Sequence, residues 1–315
     1  MNLFKASNQW SNRPDDERFW TLTEAHDATL GYRKTAAEKT LRYSDLRVEA
    51  QDNDVLLVGK ANNPAKLTHW AFGQLAQRCG APASYLRDLP ATLAAQNLNH
   101  GLKHRATEDE AQVLFHRNGS LLARAFTSDL YNRIWNHEVI ERALTLESKG
   151  WRTPPARPCR EGQAGSRLAT EADVLSTRGG GGGLSVNVGD LIAPAGIYAS
   201  DHDCFLFLVN EQARVQDGTE GGLSRGVFIT NSEVGAASLR VTRFYFRHVC
   251  GNHIVWDASN VVEVRLRHVG EDVAPRFRQA IQAQVSWITD GAREDEDRIR
   301  QAQSFLLGDD KDEVL

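Results

Sequence analysis

The sequence predicts an α+β fold: an antiparallel β-sheet packed against a long carboxyl-terminal helix, with a mixed α/β amino-terminal half. Three observations carry this expectation. Four strand-like runs, "CFLFLV", "RGVFIT", "SLRVTRFYFRHV" and "NVVEVRLRH", follow one another with turn-forming segments between them. The link between the last two is about ten residues, short for the crossover that parallel pairing needs. After Pro275, the residues Phe277, Ile281, Val285 and Ile288 recur at helical spacing, and Val262, Val264 and Leu266 offer them an apolar surface.

Taken in order, residues 1–40 carry weak helix signals and read as a partly ordered arm. Residues 41–150 form the mixed α/β region. Its first feature is a hairpin in which Leu46 and Val48, then Val55 and Leu57, alternate with polar neighbours around the turn-forming "QDND". Thr68 caps a helix with Trp70, Phe72, Leu75 and Ala76 on one face, which Gly80 and Pro82 end. A helix through "PATLAAQNLNHGL" precedes a hairpin turning at Asn118-Gly119. A further helix carries Ile134, Trp135, Ile140 and Leu144. Residues 151–185 have the Pro, Gly and Arg content of a linker or long loop, residues 186–307 hold the four strands and the helix, and residues 308–315 form an acidic tail.

Composition limits the classes of function. A chain of 315 residues is long enough for one large domain or two of ordinary size, so its core need not depend on disulfides or metals. Its longest apolar runs fall far short of a membrane span, and the amino terminus is too polar for a secretory signal. The cysteines, Cys79, Cys159, Cys204 and Cys250, are widely separated, which suggests reduced thiols and a cytoplasmic protein. The net charge of −4 offers nucleic acid no whole-molecule attraction, so any such binding needs a local basic surface.

The stretch "RFYFRHVCGNH" places His248, Cys250 and His253 close together. A specific zinc signal has paired ligands at both ends, and no second cysteine pair exists. His248 and Cys250, two apart on a strand, point the same way instead of facing each other as base and nucleophile do. Cys250 therefore reads as a core residue, with no catalytic residue, metal or cofactor expected. The run Gly179 to Gly183 lacks the Gly-Lys-Ser/Thr of a phosphate loop. Alternation is more informative. It sets Arg243, Tyr245 and Arg247 opposite Phe244, Phe246, His248 and Cys250, and sets Arg265 and Arg267 opposite Val262, Val264 and Leu266. Antiparallel pairing is then expected to gather four arginines and a tyrosine, Arg243, Tyr245, Arg247, Arg265 and Arg267, on one solvent face suited to single-stranded nucleic acid, with Glu263 as a contrary charge in the row.

The blocks "RGVFITNSEVG", "VCGN" (Val249 to Asn252) and "RHVG" (Arg267 to Gly270), with "LAQRCGAPASYLRDL" and "LPATLAAQNLNHGL" upstream, resemble the phage- and plasmid-associated family of domain of unknown function 932 over roughly residues 68 to 275. The resemblance implies a gene carried by mobile elements, without a settled activity or catalytic residues. A more distant similarity to phage single-strand-annealing proteins implies a curved antiparallel sheet backed by a helix; it is an analogy of fold and does not fix function. The expectation is a DNA-binding protein acting as an oligomer on single-stranded DNA. Two alternatives stand beside it. One is an interaction module that engages a host protein through the acidic tail "GDDKDEVL". The other is a metal-dependent nuclease using Asp201, Asp203, Glu233 and His253.

Overall fold

The computed structural model describes residues 14–105, 109–154, 157–159, 165–177, 186–194, 196–215, 223–246 and 259–269, with 275, 276 and 279. In chain order its elements are β1 (Arg18–Phe19), α1 (Leu22–Thr35), β2 (Ala36–Arg42), β3 (Arg47–Gln51), β4 (Asp54–Val58), β5 (Pro64–Leu67), α2 (His69–Arg78), α3 (Ala83–Arg87), α4 (Ala91–His104), β6 (Glu110–Asn118), β7 (Ser120–Thr127), α5 (Asn136–Leu144), β8 (Arg157–Pro158), β9 (Arg167–Leu168), α6 (Glu171–Thr177), β10 (Leu191–Ala193), β11 (Ile197–Ala199), β12 (Cys204–Val215), β13 (Leu223–Asn231), β14 (Leu239–Phe246) and β15 (Ser259–Leu266). The result is a mixed α and β protein with largely antiparallel sheets.

The first sheet has six strands in the order β2-β6-β7-β5-β4-β3, with only β5 and β7 parallel. Both expected hairpins form, and each uses a left-handed residue at its turn: Asp52 at φ 54 and Gly119 at φ 68. Thr68 caps α2, its hydroxyl accepting from the Ala71 amide at 3.2 Å, and Ala71, Phe72, Leu75 and Ala76 face the core. Trp70 leaves that face; its indole N–H donates to the Val234 carbonyl at 3.0 Å, a contact no local spacing signals. Helix α4 closes on the end of α2 at Gly101, where a Cβ would stand 2.4 Å from Cys79 Cβ. Only glycine fits there.

The second sheet also has six strands, β1-β11-β12-β13-β14-β15, all antiparallel. The four strands expected from the sequence are thus adjacent and antiparallel, and β1 and β11 extend them. One face buries Leu206, Leu208, Val227, Ile229 and Val241 against Leu22 and Ala25 of α1 and Val139, Ile140 and Ala143 of α5. The other buries Tyr198, Phe205, Phe207, Phe228 and Phe244. Gly226 makes room for this aromatic row, since a Cβ there would meet the Phe244 ring at 2.5 Å.

Within the partly ordered arm expected over residues 1–40, the described part from residue 14 supplies β1, α1 and the start of β2. Helix α1 is set by the Thr21/Glu24 capping box and buries only Leu22, Ala25 and Thr29, too sparse a stripe to read from periodicity. The segment 151–185 is not simply a linker, because β8 and β9 flank β10 in a small sheet and Trp151 is buried. Leu266 of β15 packs against the cluster that the sheet shares with α1 and α5, on the face where the carboxyl-terminal helix was expected. That helix falls outside the described residues except for Pro275, Arg276 and Gln279, as do the glycine run and the acidic tail. Among the described residues no helix is long and apolar enough to cross a membrane.

Candidate functional site

The basic face expected on β14 and β15 does not assemble as one patch. Directly opposed residues of an antiparallel pair share a face, and the register sets Arg243 opposite Val262 and Arg240 opposite Arg265. Arg243 and Tyr245 therefore lie on the face of Val241 and Leu239, and Arg265 lies on the opposite one, with Thr242 and Phe244. Tyr245 is 0% exposed and Arg243 is half-buried, whereas Arg265 and Arg267 are exposed. The physical reason is that β14 is an interior strand buried on both faces, so alternation separates its two sides without telling which one is wet. Arg247 lies outside the described residues, together with His248, Cys250 and His253.

The arginines that do share a face are Arg240 and Arg265, with exposed Arg267 two residues further on. Arg265 Nε donates to the Ser238 hydroxyl at 2.7 Å. Glu263, in the same row, has its carboxylate 3.5 Å from the Thr242 hydroxyl. Among the described residues none of these three arginines forms an ion pair with a carboxylate. Strand β15 is a sheet edge, so charges there also discourage pairing with another chain.

The carboxylates considered for metal binding each have another partner. Asp203 accepts from the Ser200 hydroxyl at 2.6 Å, and Asp201 Oδ1 lies 2.9 Å from His202 Nδ1. Glu233 accepts from Arg124 at 3.2 Å and from the Asn136 amide at 2.8 Å. Among the described residues no group of three His, Cys, Asp or Glu side chains is arranged to hold a metal ion.

Glu233 and Arg124 instead join the two sheets. Arg124 stands on β7 at the bulge in its pairing with β6, and its other amino group donates to the Asp201 carbonyl at 2.6 Å. Both side chains are under 5% exposed. Around them the segment after β13 is held by Trp70 and Gln74, which donate to the Val234 carbonyl, and by the Tyr131 hydroxyl, which donates to that of Ser232. Leu114 and Ala125 meet Trp135 and Val234 beside them. Three titratable groups beside the seam are shifted by their surroundings. Burial, reinforced by Arg124, lowers the His116 pKa, and burial pushes the Tyr131 phenol up. His268, stacked on Tyr131 with centroids 5.2 Å apart, is lowered to about 4, mainly by burial. The buried Arg124–Glu233 pair and the neutral histidines beside it make a structural joint between the sheets.

Arg124 and its partnership with Glu233 were missed from sequence because the residues are 109 apart and neither spacing nor periodicity links them. Arg240 was missed because the face of β14 was assigned without the register. No family model matches the chain, and no curated protein or solved structure matches it either. The resemblance to the phage- and plasmid-associated family rests on its sequence blocks alone.

Proposed function

We propose that the chain is a mobile-element protein that binds single-stranded nucleic acid with little sequence preference through Arg240, Arg265 and Arg267. The observation that carries this reading is the direct opposition of Arg240 and Arg265 across β14 and β15. Like charges facing each other across strands destabilise a sheet, and a polyanion relieves that repulsion. With Tyr245 in the core, no stacking platform accompanies these cations among the described residues, so the proposed contact is with phosphates. The resemblance to phage- and plasmid-associated proteins supports the same reading, and the overall charge of −4 confines the attraction to this local surface.

The test is fluorescence anisotropy of a mixed-sequence single strand at low and moderate salt. The wild type is expected to bind with a steep salt dependence. Arg265→Ala with Arg267→Ala should flatten the slope of log affinity against log salt by about 1.4, from about 0.7 per phosphate contact on single strands. Tyr245→Ala, offered as the contrast, should cost about 3–5 kcal/mol of stability as a core truncation and leave the salt slope of the folded fraction unchanged. Absence of binding at low salt, or equal binding by the double variant, would leave the arginines as edge-protecting charges and favour a protein-interaction module.

A further inference from the structure

We infer that the cleft beside β2 is a binding site for a small amphipathic anion, an unbranched alkyl chain ending in a carboxylate or phosphate. The first sheet curls until its edge strand β2 faces the β4–β5 turn, residues 59–63, across a cavity of about 330 Å³. Leu41, Leu46, Leu57, Phe115 and Leu121 make its apolar floor. No residue of α2, α3 or α4 contributes to the wall, although those helices cover the rest of the same sheet face. Helix α1 reaches the cavity only through its last residue, Thr35, so this corner of the core is closed mainly by strands and short links.

The rim carries the second half of the argument. Lys39, Lys60 and Arg117 line the cavity, and no Asp or Glu does. Lys60 is held by Asp45 at 2.7 Å. Lys39 and Arg117 are exposed, and neither forms an ion pair among the described residues. The pairing explains how cations come to stand over apolar groups. Ala37 is opposite Phe115, Lys39 is opposite Val113, and Arg117 is opposite Leu121, so one sheet face alternates small, charged and apolar positions along neighbouring strands.

A ligand that fits must cover an aliphatic floor and place negative charge at the rim. At about 30 Å³ for each group of water size, the space holds about eleven, which suits a chain of about eight to ten carbons with its head group. A nucleobase suits it poorly, because the neutral hydrogen-bonding side chains of the lining are Thr35, Asn63 and His116, and two of these already bond each other, Thr35 Oγ1 lying 3.0 Å from His116 Nδ1. The site belongs to the first sheet and is independent of the arginines on β14 and β15.

Titration calorimetry on the full chain, with probes below their micellar concentrations, tests the inference. Decanoate and decyl phosphate are expected to bind at one site. The octyl homologues should bind about sixteenfold more weakly, from about fourfold per methylene. Decanol and inorganic phosphate should each bind at least roughly tenfold more weakly than decyl phosphate, because each lacks one half of the complementarity. Lys39→Ala with Arg117→Ala, both at exposed positions, should remove the preference for decyl phosphate over decanol. Ala37→Trp should abolish binding by filling the cleft, with an unchanged thermal midpoint as the check on folding. Failure of decanoate and decyl phosphate to saturate, absence of a chain-length effect, or equal affinity for decanol would overturn the inference on the wild type alone. Undiminished binding by both variants would overturn it as well. An oligonucleotide that binds while the alkyl anions do not would overturn this site and leave the arginine reading standing.

Discussion

The two six-stranded sheets differ in how their faces are closed. The second is buried on both sides, by aliphatic residues against α1 and α5 on one face and by an aromatic row on the other. The first is covered by helices over most of one face and rests its other face on the seam at Trp135 and Val234, leaving a corner beside β2 open. The difference teaches that a cation has opposite meanings in the two places. On the interior strand β14, Arg243 is drawn into a packed face; on the edge strand β2, Lys39 stays in water over an apolar floor. Alternation of residue types looks alike in both.

The comparison is broken most directly at the seam. Arg124→Met should cost about 3–5 kcal/mol, because it leaves Glu233 charged and buried without its guanidinium. Arg124→Met with Glu233→Leu should recover much of that loss, since replacing both partners removes the orphaned charge. Urea unfolding reads both values, and a loss below about 1 kcal/mol would mean the pair is hydrated and the sheets are joined by packing alone.

A second change sharpens what two-sided burial means. Gly226→Ala forces a methyl into the Phe244 ring and should cost about 1–3 kcal/mol, as overpacking does. Tryptophan fluorescence and far-ultraviolet circular dichroism should report the same lowered midpoint if the seam makes the sheets one cooperative unit. The smallest effect is expected in the first sheet. Thr68→Ala removes the cap on α2 and should cost about 1 kcal/mol, with the same single transition. If Thr68→Ala and Gly226→Ala shift different transitions, the sheets unfold separately and the Arg124–Glu233 contact does not couple them.

Much of the local structure was legible because its causes are local. Thr68 followed by an apolar face, Asn118-Gly119 between alternating runs, and four short strands with brief links all act within a few residues of themselves, and each element formed where it was expected. Helix α1 escaped because it buries few apolar residues and is set instead by Thr21, Glu24 and its packing on α5. The block "RGVFITNSEVG" was visible as a string, yet its role was not: Ser232, Glu233 and Val234 are where the second sheet meets the first.

The sequence by itself determined the strands, the turns, the main helix caps and the division of each strand into two faces, since φ/ψ preferences, capping and period-2 alternation depend only on neighbours along the chain. Which faces met solvent was decided by tertiary structure. Register set Arg265 beside Arg240 and Arg243 beside Val262, and burial on both sides took Tyr245 out of reach of any ligand. The curl of the first sheet placed Lys39 and Arg117 around one cavity. A one-residue shift in pairing exchanges every side chain between faces, and no pattern within a single strand records which pairing its neighbour adopts.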